Sequence, residues 1–317
     1  MTYRLDRRGF LKSVAGGAAA ASFGRLPLAR AGDAGAPQAA APSIQASKLT
    51  DTLTLFSGAG ANVVAARDGD GLALVDGGLA AHSAELLKRI QSETGLSRVH
   101  TLFNTHWHPC ETGSNEPLGK EHATIIAHEN TRLWLGYANP VPEQKGTYGP
   151  LPTYARPNKT FFYGTQHLSL GSEPVEYGYL PQAHTDGDIY VHFKKSNVLA
   201  AGGVVSGKGW PILDVKTGGW IIGMVSGLQT LLGVADDNTR IIPAHGPALT
   251  RAQLAEQHQM FSTIATRLQR AIRKGLGPED VVAENPTKEF NAEWGDPTQF
   301  TTQAFESLWG HFAPDAS

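Results

Sequence analysis

The stretch "NTHWHPCETGSNE", Asn104 to Glu116, sets two histidines, His106 and His108, one residue apart at the end of the apolar run "VHTLF". The run reads as a strand and the Gly/Asn positions after it read as a turn. Both imidazoles therefore stand in a strand-end loop, where a sheet scaffold displays chemical groups. In an extended His-x-His the two rings can point to the same side, so both can reach one ion. Pro109 is followed by Cys110 and Glu111, a thiol and a carboxylate that can also bind zinc.

Two more histidines occupy comparable positions, His184 after "GYLPQA" and His245 after "RIIPA". A third imidazole from a remote loop leaves one tetrahedral position open, the arrangement of a catalytic rather than a structural zinc. His82, His100, His122, His128, His167, His192, His258 and His311 have no such company and read as structural or surface residues.

Around these loops the chain alternates strand-like and helical segments. "LTLFSG", "ANVVAARD" and "GLALVDGG" read as strands, with a hairpin at "RDGDG". "AHSAELLKRIQSETG" has Leu86, Leu87 and Ile90 at helical spacing and stops at Gly95. A Pro/Gly/Tyr-rich insertion from Asn139 to Asn158 lacks a regular pattern and suggests a lid or binding loop. A second strand set, "FFYG", "HLSLG", "VEYGYLP", "DIYVHF" and "VLAAGGVV", precedes a helix at "GGWIIGMVSGLQTLLG", the strand "TRIIPAH" and a long amphipathic helix from Arg251. The tail reads as short helices. Two halves of this kind predict an α/β fold, a four-layer αββα sandwich with a C-terminal helical extension.

The first residues read as a targeting segment. Arg7 and Arg8 precede Phe10 and Leu11, a small apolar stretch follows, and Ala29 and Ala31 occupy the positions a signal peptidase prefers. The paired arginines predict a twin-arginine signal over residues 1–31, and hence a periplasmic protein. Asp6 stands where such signals usually carry Ser or Thr. The apolar stretch, roughly a dozen residues, is too short for a permanent membrane anchor. Residues 32–47, rich in Ala, Pro and Gly, read as a flexible leader, and 48–317 as the folded domain with its C-terminal helices. Residues 1–31 hold six of the 27 basic residues and one of the 29 acidic ones, so the remainder carries 21 against 28, a formal charge of −7. That balance argues against a nucleic-acid or anionic-membrane partner and leaves a small-molecule substrate. Cys110 is the single cysteine, so the chain has no internal disulfide to form.

Taken in order, "NTHWHPCETGSN", "AHTDGD", "AAGGVV" and "IIPAHGP" resemble the motif series of the metallo-β-lactamase superfamily, T-H-x-H-x-D-H-x-G-G-N, G-H-T-x-G-D, G-D and P-G-H-G. "GAGANVVAARDGDGLALVDGG" resembles the opening hairpin of that family, in which an Asp, here Asp76, supports the metal loop. The resemblance runs from about Leu49 to Leu249. It implies that His106, His108 and His184 form a complete three-histidine metal site. At the second site only His245 matches: Cys110 stands for the ligating Asp, Glu111 for the His, and Gly203 for the carboxylate that bridges two ions. Without the bridge, nothing obvious holds two ions at the ~3.5–4 Å of a two-metal centre. Cys110, Glu111 and His245 are left open between a rebuilt site and none.

The resemblance implies a periplasmic hydrolase in which three neutral imidazoles hold one zinc and a zinc-bound hydroxide attacks an ester, lactone or amide carbonyl. Glu111 is the candidate general base, since the usual Asp is absent; Asp76, Asp186 and Asp188 are candidates for orienting ligand histidines or strand ends, and the last two read equally as ordinary turn residues. Trp107 reads as a packing residue. The alternative is a relative of little or no activity that binds a small molecule or partner in the cleft, which the Gly203 position favours. A mononuclear iron enzyme ranks below both, because such relatives keep the carboxylate that Gly203 lacks.

Overall fold

The computed structural model describes residues 43–312 except 143, 144 and 208; the expected signal, and the leader as far as residue 42, lie outside them. The first sheet begins with β1 (Gln45–Lys48), β2 (Leu53–Ser57), β3 (Val63–Asp68) and β4 (Gly71–Val75), an antiparallel meander. It continues in parallel through β5 (Val99–Phe103) and β6 (Thr124–His128). A small hairpin, β7 (Asn139–Pro140) and β8 (Thr147–Tyr148), intervenes before β9 (Lys159–Phe161) completes the sheet. The second sheet is the meander β10 (Thr165–Leu170), β11 (Glu173–Tyr179), β12 (Ile189–Phe193) and β13 (Val198–Gly202), closed by β14 (Arg240–Pro243) parallel to β13.

Parallel neighbours need crossovers, and helices supply them. α1 (Ser83–Thr94) links β4 to β5; α2 (Pro109–Thr112) and α3 (Asn115–Lys120) lie between β5 and β6; α4 (Glu129–Trp134) follows β6; α5 (Ile221–Val234) links β13 to β14. The chain ends in α6 (Arg251–Arg273), α7 (Pro278–Glu284), α8 (Asn291–Trp294) and α9 (Thr298–Phe312).

The side-chain period of two along each strand sorts the core into layers. Ala73, Val75, Phe103 and Ile126 of the first sheet meet Val175, Val191, Phe193 and Ile242 of the second between the sheets. Their neighbours Leu72, Leu74 and Leu102 face Leu86, Ile90 and Leu118 on the outer side. On the far side Leu199, Ala201 and Ile241 pack under Leu228, Phe261, Ile264 and Leu268. Burying each such Leu, Ile or Phe stabilises the fold by about 1.5–3 kcal/mol. The order of layers is therefore helices, sheet, sheet, helices, as expected.

Local details follow the sequence in places and depart from it in others. α1 stops where Gly95 takes φ 72° and its N–H reaches the Gln91 carbonyl. Thr250 caps α6 through a reciprocal pair with Gln253. Residues 45–47 belong to β1, because edge pairing with β2 satisfies the backbone whatever the side chains. "FFYG" contributes only Phe161 to a strand. The tail is more than short helices: Phe300, Ala304, Phe305 and Leu308 share the buried stripe of the 15-residue α9. Two described residues of the 139–158 insertion are held in place: Val141 is buried against Trp107 and Leu135, and the Tyr148 hydroxyl lies 2.8 Å from that of Thr112.

Candidate metal centre

The loops after β5, β11, β13 and β14 converge on one cleft of about 280 Å³, whose lining includes His106, His108, Cys110, His184, Gly203 and His245. Its apolar walls are Val141, Pro142, Val205, Trp210, Pro211 and Ile212. One backbone bond and one side-chain amide, the Nδ2 of Asn62, hold the two sheets together here. Ile189 N–H donates to the Thr105 carbonyl at 2.8 Å, and the buried Asn62 amide spans the Pro243 and Gly246 carbonyls at 2.9 and 2.8 Å. Gly202, at φ 57°, lies against Thr105, and a Cβ there would stand 2.7 Å from Thr105 Cβ. A left-handed backbone in so close an approach requires glycine.

The three histidines that match the first site converge. His108 Nδ1 lies 3.2 Å from His106 Nε2 and 3.2 Å from His184 Nε2, and the three ligand atoms are all within 4.8 Å of one another. Three nitrogens bound tetrahedrally at ~2.05 Å to one zinc stand ~3.3 Å apart, so the spacing fits. The opposite nitrogens are each engaged. His184 Nδ1–H donates to the Ile212 carbonyl at 2.7 Å, and His108 Nε2–H to Asp214 Oδ2 at 3.1 Å. Thr105 spends its hydroxyl proton on Asp76 Oδ2 at 2.9 Å, which leaves its oxygen to accept from His106 Nδ1–H at 3.2 Å. These bonds place all three lone pairs on the converging nitrogens, as metal ligation requires.

Electrostatics favour the same state. Burial first, and then the neighbouring imidazoles, hold His106 well below the ordinary histidine value. Burial and His108 lower His184 to about 3 against the Ile212 hydrogen bond. Neutral imidazoles keep the lone pairs available.

Asp76 does not reach the cleft. At the end of β4, with φ 63°, it accepts from Thr105 N–H at 2.8 Å as well as from the hydroxyl, and burial raises it to about 7 despite those bonds. It positions His106 through Thr105. Asp188 accepts from Thr185 N–H and hydroxyl, and Asp186 from Trp134 Nε1–H, so both lock the turn around His184 rather than its ring. Trp107 is fully buried and its Nε1–H donates to Thr217 Oγ1, which donates to Asp214. Asp214 is the residue that sequence reasoning missed: it sits 106 positions from the ring it orients, in a turn with no local signature. Burial pushes its pKa up, but the hydrogen bonds from His108 and Thr217 outweigh burial and hold it below the ordinary carboxylate value.

Cys110, Glu111 and His245 also come together, with one donor atom from each within 4.8 Å of the others. Glu111 is fully buried. Its Oε2 lies 2.9 Å from Cys110 Sγ and 3.2 Å from His106 Nε2. The carboxyl thus stands behind the ligand atoms instead of lining the open cleft, a place for holding donors rather than for a base working on solvent. Burial, then the nearby Asp76, raises Glu111 well above its ordinary value; burial and then Glu111 raise the Cys110 thiol. Gly203 has no room for a side chain, since a Cβ would stand 2.4 Å from His184 Cδ2. The fit to a bridged pair of ions therefore fails at Gly203, while the three-histidine site fits one zinc.

Residues 57–283 match the sequence profile of the Metallo-beta-lactamase superfamily. No curated protein sequence matches the chain. Among solved structures, a metallo-beta-lactamase from Pontibacter korlensis is similar at 17% identity and TM-score 0.56, over 69% of this chain and 99% of its own. The DIM-1 metallo-beta-lactamase gives 19% and 0.55 over 70% and 98%. The stereoselective inverting sec-alkylsulfatase Pisa1 from Pseudomonas sp. gives 15% and 0.67 over 86% of this chain but 51% of its own. Likeness at these identities speaks for the fold alone.

Proposed function

Because the chain belongs to the metallo-β-lactamase superfamily, we propose that it is a zinc-dependent hydrolase of a small ester, lactone or amide, with His106, His108 and His184 as the metal ligands. The observation that carries the reading is the set of three imidazoles whose ring nitrogens converge in a cleft, each ring fixed by a bond on its other nitrogen. A zinc bound there supplies Lewis-acid polarisation and lowers the pKa of a water toward ~7. The chain's own residues do the rest. Asp214 and the Ile212 carbonyl hold two ring protons away from the cleft, Asp76 holds the third through Thr105, and the apolar walls exclude water around an acyl group. His245 and Cys110 also line this cleft. Asp76 is assigned as a positioning residue.

We place the mature protein in the periplasm, on the strength of Arg7, Arg8 and the Ala29/Ala31 cleavage pattern. No helix among the described residues is long and apolar enough to cross a membrane.

The test is zinc content and hydrolysis measured together. The purified chain should retain zinc and cleave members of an ester, lactone and amide panel, and His108→Ala should lose both. A chain that binds ligands in the cleft yet holds no zinc and cleaves nothing would favour the binding-protein alternative.

A further inference from the structure

The carbonyl that orients the His184 ring is itself held from a helix far along the chain. We propose that Gln303 of α9 is a positioning residue of the metal centre, acting on His184 through the Ile212–Leu213 peptide group. What Gln303 does for metal affinity rests on the reading of the triad as a zinc site; what it does to the His184 ring does not.

One planar group carries the connection. Its carbonyl, on Ile212, accepts from His184 Nδ1–H at 2.7 Å, and its N–H, on Leu213, donates to Gln303 Oε1 at 3.1 Å. A trans peptide is rigid and sets its C=O and N–H in opposite directions, so a partner that fixes the N–H also aims the carbonyl. Donation from the N–H further polarises the carbonyl and strengthens the bond it accepts. Leu213 is almost fully buried, which leaves its N–H dependent on a partner within the protein. The segment around it has little support of its own: no main-chain group of residues 209–212 pairs with another main-chain group among the described residues. Support comes from the C-terminal helices instead. Trp210 Nε1–H donates to the Gly295 carbonyl at 3.0 Å, and its ring stacks on Phe300 with centroids 4.9 Å apart. The buried Gln257 of α6 accepts from Ser206 N–H at 3.2 Å and donates to the Ser206 carbonyl at 2.6 Å.

α9 lies beyond residue 283, where the match to the family profile ends. All three histidines come from the matched region, yet a group that aims one of them is supplied from outside it. The same segment carries Asp214, two residues on from Ile212, to His108. Holding the 212–213 peptide therefore bears on two of the three rings, His184 through the carbonyl and His108 through the placement of Asp214.

Three variants of the full chain test this, read by zinc affinity, by thermal melting and by NMR of the histidine ring nitrogens in the metal-stripped protein. In the wild type His184 should be the Nδ1–H tautomer. Gln303→Leu removes the acceptor at similar volume; it should mix the two tautomers and lower zinc affinity about tenfold, as loss of an outer partner of a ligand histidine does. Gln303→Glu keeps an oxygen at the same reach and should keep the tautomer and most of the affinity. Ser307→Ala is the control: on the same helix, its hydroxyl accepts from Ile221 N–H at 3.2 Å, at the start of α5 rather than in the 205–214 segment. It should lower the melting temperature and change neither tautomer nor affinity. A wild-type tautomer in Gln303→Leu, or zinc affinity within about twofold of the parent, overturns the proposal, and so does an equal loss in Ser307→Ala. Gln303→Met, as flexible as the native side chain but without its oxygen, repeats the comparison if leucine disrupts the packing. A wild-type chain that binds no zinc would overturn the hydrolase reading by itself, and the His184 tautomer would still decide the role of Gln303.

Discussion

Asp214→Ala is the perturbation that tests most directly how the triad is held. In the native chain Asp214 Oδ2 accepts from His108 Nε2–H at 3.1 Å and from the Thr217 hydroxyl at 2.5 Å, all of it buried. Alanine leaves that N–H and that hydroxyl without an acceptor, and each orphaned donor costs about 1–3 kcal/mol. Thr217 cannot simply turn away, because its oxygen also accepts from Trp107 Nε1–H. The imidazole is then free to rotate or to change tautomer, and either moves its lone pair off the point where His106 and His184 meet. Loss of a partner of this kind lowers metal affinity about 10–100-fold, or ~1.4–2.8 kcal/mol. Asp214→Asn keeps an acceptor oxygen and should lose less. Zinc affinity is measured by competition with a chromophoric chelator, and apo stability by thermal melting. The pH dependence has a definite sign. The folded pKa of Asp214 is depressed, so its stabilisation is present above the ordinary carboxylate value, ~4, and lost as pH falls through the lower folded value. Apo wild type should show that loss and apo Asp214→Ala should lack it. An alanine variant that folds and binds zinc within about twofold of wild type would refute the assignment.

Two further outcomes follow from the same residues. Gly203→Asp, which restores the usual bridging carboxylate in name, should not create a bridged pair; it should displace the His184 ring, cost about 1–3 kcal/mol by overpacking and weaken zinc binding, and a variant as stable as the parent with an extra tightly held ion would contradict this. Replacing Arg7 and Arg8 together with Lys should hold the chain in the cytoplasm, as fractionation would read; unchanged periplasmic yield in cells lacking the twin-arginine route would count against that export signal.

Much of the molecule was legible along the chain because its determinants are local. Period-two apolar runs marked most strands, the 3.6-residue period marked α1 and α6, and Gly95 marked where α1 stops. The His-x-His loop and the two later histidines identified the donors, since residue type and strand-end position alone restrict which groups can meet a metal. The strand at "FFYG" and the short-helix tail were misjudged for the complementary reason: pairing with β6 ends at Phe161, and α9 owes its length to the face it buries against α5 and α6. Three features were decided only in three dimensions. Asp214 reaches His108 across 106 residues, so no spacing announces it. Gly203 looks like a lost ligand in the sequence, but the His184 ring occupies the space any side chain there would need. Glu111 reads as a base waiting for water, whereas α2 turns it inward, fully buried, between His106 and Cys110. The sequence determined which donors are present, because chemistry belongs to residue type; the packing of loops from both sheets decided which of them face one another, because that depends on distances between segments the chain order does not encode.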